Sequence, residues 1–202
     1  MAAGQEVFAE RGVDATLEEV ARRARVGIGT LYRHFPTREA LVEVIYEEHI
    51  AEVLAAAERA AVAYDAWEGL VEFFERALEL QARNAPLREV FFRHSVGGGR
   101  TDYRRKRIRP LLERLLARAR AQGALRADFT IGDLLFAMWS FMPLFEATAG
   151  VAPNAWRRHL RILLDGMRAE AATPQRARPL GGRRLETVIV ALRGRYQRRR
   201  AA

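Results

Sequence analysis

The chain contains no cysteine, which excludes disulfide bonds, thiolate catalysis and cysteine-ligated zinc. This absence is compatible with a reducing cytoplasm, and we predict a cytoplasmic location. No apolar run approaches the length of a membrane span, and no basic-then-apolar signal peptide opens the chain. Strand-type alternation of apolar and polar residues is also missing. The sequence therefore predicts an all-α fold with no membrane partner.

The usual sequence signatures of catalysis and cofactor binding are missing as well. None of the four histidines is paired at metal-ligand spacing with another histidine or an acidic residue. There is no serine nucleophile elbow, dinucleotide fingerprint or phosphate-cradling glycine loop, because the glycine run at 97–99 lacks the following Lys and Ser/Thr. We therefore predict that the chain is not an enzyme and has no catalytic residues, metal or cofactor.

Lysine is nearly absent, so arginine carries almost all the positive charge. The net charge is +9, but residues 171–202 hold nine arginines and one acidic residue, a net of +8. The rest of the chain is nearly neutral, so the overall charge is not evidence for nucleic-acid binding. The composition from residue 171 is typical of a linker, and the apolar spacing from Leu185 onward fits a helix. This tail either adds nonspecific attraction to phosphates or has no function.

Residues 16–38 predict two short helices joined by a sharp turn. The first helix has one apolar face and begins at a capping box formed by Thr16 and Glu19, whose side chains satisfy each other's backbone amides. The helical pattern breaks at 25–27 and then resumes. The apolar stripe of the second helix consists of Ile28, Leu31 and Phe35.

The face of the second helix opposite Leu31 suits a DNA major groove. Its side chains are small, hydroxyl-bearing, aromatic or basic, so it can approach closely, donate to phosphates and reach base edges. Residues 22–38 contain five arginines and no acidic residue, whereas residues 1–62 contain 7 arginines and 11 acidic residues. The alternative is a solvated basic loop on an ordinary helical protein. The predicted base-facing residues are Gly29, Thr30 and Arg33.

The string VGIGTLYRHFPTREAL, residues 26–41, resembles the recognition helix and following helix start of TetR-family transcriptional regulators. Upstream, FAERGVDATLEEVARRARV is similar to the end of that family's first helix, its turn and its second helix. The resemblance implies a three-helix helix-turn-helix DNA-binding domain at 1–50 and a helical effector-binding and dimerisation domain at 51–170. The Arg-rich tail, 171–202, lies outside the family pattern. The family's first helix usually begins some residues earlier and often carries a basic arm, whereas this sequence starts at Met1. No contacts from an N-terminal arm are therefore predicted.

The resemblance also implies how the chain would hold DNA. In relatives a basic residue at the position of Arg38 grips a phosphate, and this role is carried over to Arg38. The predicted phosphate contacts are the backbone amides near Thr16 and the side chains of Tyr32, His34 and Arg38.

Beyond this motif the sequence predicts further helices. Pro110 either kinks one of them or marks a short helix before it. Thr37 is the predicted N-cap of the helix after the recognition helix, and Thr130 with Asp133 opens a later one. His49 and His159 are interpreted as residues on helix surfaces. The predicted spans are about 1–11, 37–63, 65–84, 86–94, 101–122, 131–149 and 153–170.

The last two of these helices are apolar over more than one face. A single core needs only one apolar stripe, so the second face should be buried by a partner. By resemblance, the helices near 131–149 and 153–170 pair with their copies as a homodimer. The second domain is also expected to hold a pocket for an unknown small-molecule effector, although core packing would explain the same side chains. The candidate effector residues are Trp67, Phe74, Phe91, His94, Met138, Trp139 and Met142.

Together these features predict a sequence-specific DNA-binding transcriptional regulator. The preferred hypothesis is a homodimeric repressor that a small-molecule effector releases from a palindromic operator on double-stranded DNA. The alternatives are an activator or ligand-independent repressor of the same fold, and a helical ligand-binding protein that does not engage DNA. The sequence does not separate repressor from activator, and it does not give the effector, the operator or the regulated genes.

Overall fold

The structure is a computed structural model that describes residues 2–11, 15–83, 100–182, 184–188 and 191. The described residues form helices and connecting turns with no strand, which confirms the all-α prediction; a single antiparallel bridge joins Leu125 to Arg168. The predicted helix at 86–94, with Phe91 and His94, lies outside the described residues. The helices are α1 (Ala2–Arg11), α2 (Leu17–Ala24), α3 (Ile28–His34), α4 (Arg38–Val62), α5 (Ala66–Arg83), α6 (Arg100–Ala121), α7 (Ile131–Thr148) and α8 (Ala155–Met167).

The helix starts follow local capping signals. At α2 the Glu19 amide donates to the Thr16 hydroxyl at 3.3 Å, and the Thr16 amide donates to the Glu19 carboxylate at 3.1 Å. Thr130 and Asp133 form the same reciprocal pair at α7, and Thr37 caps α4. Side-chain capping satisfies amides that have no partner within the helix. The three predicted helix starts are therefore confirmed.

Two hydrophobic cores share α4. The N-terminal core packs α1, α2 and α3 against the first half of α4, and Tyr46 and Ile50 lie at its far end. The second half of α4 belongs to a larger core with α5, α6, α7 and α8. Ile108 of α6 packs against both cores. Since α4 has 25 residues, it spans about 37 Å and provides one rigid connection between the two packing units.

The end of α4 is held closely against α5 and α6. A β-carbon at Gly69 would lie 2.9 Å from the Ala60 carbonyl oxygen and 2.9 Å from the Ala63 β-carbon, so only glycine fits there. The Arg118 guanidinium donates to the Ala61 carbonyl at 2.7 Å and also to that of Ala63. These carbonyls have no partner within the helix, and Arg118 supplies one from a neighbouring helix.

Pro110 lies inside α6, and the helix continues through it as one element, so Pro110 does not mark a separate short helix before it. The kink at Pro110 stays a prediction. Gly123 ends α6 with a φ of +72°, a left-handed conformation that favours glycine. Helical structure is also present at 184–188, and Leu185 is only 1% exposed.

The prediction that His49 lies on a helix surface is wrong. His49 is 7% exposed, and its ring stacks with that of Tyr46 at 6.5 Å between centroids. Its surroundings include Gln5 from α1 and Arg76 from α5. Helix α4 is covered from more than one side, so the polar position is buried along with the apolar stripe. His159 is exposed, as predicted.

In the part of the chain that the structure describes, every helix is too short or too polar to cross a lipid bilayer.

Candidate nucleic-acid interface

Helix α3 presents most of its surface to solvent. Of its seven residues only Leu31 is buried, while Gly29, Thr30 and Arg33 are exposed. The structure thus agrees with the prediction that Leu31 anchors this helix and leaves the three candidate base-facing residues outward. Ile28 was expected on the apolar stripe but is 39% exposed. Because α3 has only two turns and packs through Leu31, its first residue projects beyond the core.

The turn before α3 is set by Arg25. This residue has a φ of 56° in the left-handed region, and its amide donates back to the end of α2. A non-glycine residue adopts this conformation infrequently, and it is a common way to end a helix. Gly27 is then the N-cap of α3. The sharp change of direction directs α3 away from α2 as a helix-turn-helix requires.

The five arginines between 22 and 38 have different environments. Arg23 pairs with Glu10 at 2.5 Å and with Glu6 at 3.2 Å, which ties α2 to α1. The hydrogen bond from Arg23 lowers the pKa of Glu10, and the hydrogen bond to Glu10 raises the pKa of Arg23. Arg22, Arg25 and Arg33 are exposed. The positive surface next to α3 is therefore smaller than the arginine count suggests.

Arg38 is half-buried and contributes to the fold. Its Nε donates to the Ala15 carbonyl at 3.0 Å, and its guanidinium lies 5.2 Å from the centroid of the Phe8 ring. It also lies 3.8 Å from the Glu39 carboxylate. Arg38 thereby positions the start of α2 relative to α1 and α4. Sequence reasoning missed this structural role because it depends on a contact across 23 residues.

A groove opens where the N-termini of α2 and α4 meet. Thr16 and Thr37, the caps of these helices, lie on its walls with the Tyr32 ring. The Tyr32 hydroxyl donates to the Glu18 carboxylate at 3.0 Å. The structure therefore brings together Thr16, Tyr32 and Arg38, three of the predicted phosphate contacts. His34 lies at the end of α3 with an exposed side chain. Glu18 was not predicted as part of this site, because no periodic pattern in the sequence distinguishes it.

Comparisons with known proteins fit this arrangement. Residues 1–45 match the family model described as bacterial regulatory proteins of the tetR family. Residues 65–169 match the model for the C-terminal domain of SbtR-like transcriptional regulators.

This chain belongs to the TetR family of transcriptional regulators.

Solved structures of this family are similar over most of the chain. The TetR transcriptional regulator SCO0520 from Streptomyces coelicolor is 32% identical, with a TM-score of 0.60 over 83% of this chain and 95% of that chain. The TetR transcription regulatory protein from Mycobacterium vanbaalenii is 27% identical, with a TM-score of 0.57 over 83% and 93%. The ketosteroid transcriptional regulator KstR2 of Mycobacterium tuberculosis, 20% identical, has a TM-score of 0.58 over 83% and 92% and shares the fold. Among curated protein sequences there is no significant match.

Membership of the TetR family confirms the broad functional prediction. The chain is a DNA-binding transcriptional regulator and not an enzyme. Its helix-turn-helix comprises α2 and α3, within the region that the tetR model matches.

The candidate effector residues of this TetR-family chain lie mostly inside the larger core. Trp67, Phe74, Met138 and Met142 are buried there, and Trp139 is half-buried with its ring 5.5 Å from that of Phe136. The Arg168 guanidinium covers the Trp67 ring at 4.4 Å. Core packing accounts for these contacts, so the effector role of each residue stays a prediction.

The outer surfaces of α7 and α8 form an apolar groove. Pro143 is exposed, Leu144 is half-buried, and Ile162 is 55% exposed. His159 lies in the same groove, with its ring 5.2 Å from that of Phe141. These are the two helices for which the sequence predicted a second apolar face.

Proposed function

We propose that this TetR-family regulator is a homodimeric repressor that binds a palindromic DNA operator and releases it when a small-molecule effector binds. The observation that carries this proposal is helix α3, which is anchored by Leu31 alone and exposes Gly29, Thr30 and Arg33. A helix held in this way can enter a major groove without unfolding any part of the core. The proposed DNA-binding unit is 1–50, and the proposed effector and dimer unit is 51–170.

Two kinds of DNA contact are proposed. Backbone amides near Thr16, with Tyr32, His34 and Arg38, hold phosphates and fix the position of α3. Gly29, Thr30 and Arg33 face base edges, and an arginine that reads a guanine contributes about 1–3 kcal/mol of discrimination. Phosphate contacts give affinity for any sequence, whereas base contacts give sequence preference.

Dimerisation is proposed through α7 and α8. Their outer groove leaves Ile162 and Leu144 without full burial in the single chain, and a second copy related by a two-fold axis would cover them. One short recognition helix reads only a few base pairs, so two copies are needed for a useful operator. The half-sites would lie one helical turn apart, roughly 34 Å or a multiple of it.

The proposed release mechanism uses α4. This helix packs in both cores, so an effector bound among α5–α8 can change its tilt and thus the distance between the two α3 helices. The effector must bind the released form better than the DNA-bound form, with a coupling of about 1–3 kcal/mol. An effector that strengthened DNA binding would favour the activator alternative. If no effector altered DNA binding, the ligand-independent alternative would be favoured.

The test is selection of duplexes from random DNA, followed by binding assays on variants. Arg33→Ala should relax the selected sequence at one position, whereas Arg38→Ala should weaken binding to all sequences and flatten its salt dependence. Because Arg38 also contacts Ala15 and Phe8, its variant must be shown to be folded by thermal unfolding. Arg114→Ala, which removes an exposed arginine from α6, is the matched control. Unchanged affinity and preference in both test variants would refute the proposed docking.

A further inference from the structure

Glu18 places a carboxylate among the groups assigned to DNA phosphates. It is the second residue of α2 and lines the groove with Thr16, Tyr32 and Arg38. The Tyr32 hydroxyl donates to Glu18 Oε1 at 3.0 Å. The pKa of Glu18 lies below its ordinary value, chiefly because its own backbone amide donates to the carboxylate, with further hydrogen bonds from the Tyr32 and Thr16 hydroxyls. The carboxylate is therefore charged at neutral pH.

The donors that Glu18 uses are the ones a phosphate would use. A tyrosine hydroxyl has one hydrogen, so Tyr32 cannot donate to Glu18 and to a phosphate at the same time. The hydrogen bond to Glu18 also raises the pKa of Tyr32, which keeps this donor protonated. The amides at the start of α2 favour any anion beside them, whether it is a side-chain carboxylate or a phosphate.

We propose that Glu18 is an internal competitor of the DNA backbone: its carboxylate engages the Tyr32 hydroxyl and the start of α2 in the free protein, and a phosphate must displace it. This inference rests on the proposed DNA contacts of Thr16 and Tyr32. The displaced carboxylate stays close to the phosphate and repels it. Glu18 therefore lowers affinity for all sequences alike and leaves the choice among sequences to the base contacts of α3.

The proposal predicts opposite effects on stability and on DNA binding. An acidic residue in the first turn stabilises a helix, so Glu18→Ala should lower the unfolding temperature slightly. The same variant should bind both the selected operator and an unrelated duplex of equal length about threefold to tenfold more tightly at low salt, with less gain at high salt. A residue with a purely structural role would lower stability and affinity together.

Two further variants separate the charge from the hydrogen bond. Glu18→Gln keeps an acceptor for Tyr32 but removes the charge, so it should give part of the gain. In a Tyr32→Phe background the contested donor is absent, and the gain from Glu18→Ala should be smaller than in the parent chain. Glu72→Ala, which removes an exposed carboxylate from α5, is the control for a general change in net charge.

The possible results are distinct. If the parent chain selects no duplex from random DNA, the proposed function fails. If the parent chain binds a selected duplex, but Glu18→Ala binds it equally well or more weakly, the competitor role is refuted. An equal gain from Glu72→Ala would also refute it, because the effect would then be one of overall charge. A gain specific to Glu18 that shrinks in the Tyr32→Phe background supports the proposal.

Discussion

Buried His49 should make the protein less stable in mild acid. It lies on α4 with Tyr46 stacked beside it and with Glu52, Arg76 and Arg83 lining the small cavity around it. Burial, together with the positive charge of Arg76, lowers the pKa of His49 to about 4. The folded protein thus holds this imidazole neutral at pH values where an exposed histidine would take up a proton.

The size of the effect follows from the two pKa values. The unfolded histidine titrates near its ordinary value of 6.5, and the folded one near 4, so between these pH values the unfolded chain binds more protons. The free energy of unfolding therefore rises with pH through this window. As the pH falls through the whole window, His49 lowers the free energy of unfolding by about 3 kcal/mol. About 1 kcal/mol of this is lost by pH 5.5 and the rest as the pH falls towards 4.

The assay is urea unfolding at fixed protein concentration over pH values from about 7.5 to about 4.5. Carboxylates also titrate at the acid end of this range. The informative quantity is therefore the difference in the free energy of unfolding between the parent chain and His49→Gln. This variant should have a flatter pH dependence between about 6.5 and 5. His159→Gln, which replaces an exposed histidine, is the control. An identical pH dependence in His49→Gln and the parent chain would refute the reasoning.

The remaining predictions concern packing and assembly. Gly69→Ala should lower the free energy of unfolding by about 2 kcal/mol, because the new methyl group would overlap the Ala60 carbonyl and the Ala63 β-carbon. Gly166→Ala, whose β-carbon would meet nothing within 4 Å, should cost no stability in the same urea titration. Ile162→Glu should convert the proposed dimer to monomer in sedimentation experiments, because it places a charge in the exposed groove of α7 and α8. A variant that remained dimeric would contradict the proposed interface.

The features that the sequence predicted well are those decided within one or two helical turns. The capping boxes at Thr16 and Thr130 involve residues three apart, and a single apolar residue, Leu31, decides which face of α3 is exposed. The same locality explains why Thr37 could be identified as the start of α4.

The features that it did not predict depend on contacts between distant residues. His49 is buried because α1 and α5 both approach α4, and no periodicity within α4 shows this. The hydrogen bond from Tyr32 to Glu18 joins α3 to α2, and the contact of Arg38 with the Ala15 carbonyl joins α4 to the segment before α2. Apolar composition also does not distinguish a ligand pocket from a core, so the effector roles of residues such as Trp67 and Met138 stay predictions.

The close approach of the Leu180 carbonyl to Gly132 has a practical consequence for handling this protein. A β-carbon at Gly132 would lie 2.4 Å from that oxygen, and nearby Arg126 donates to the Thr173 carbonyl at 2.9 Å. The backbone after α8 thus lies against the start of α7 at Leu180, and Leu185, further along the chain, is also buried. Shortening the chain at residue 170 to improve solubility or crystal growth would strip a covering layer from α7 and expose apolar surface that the full chain hides.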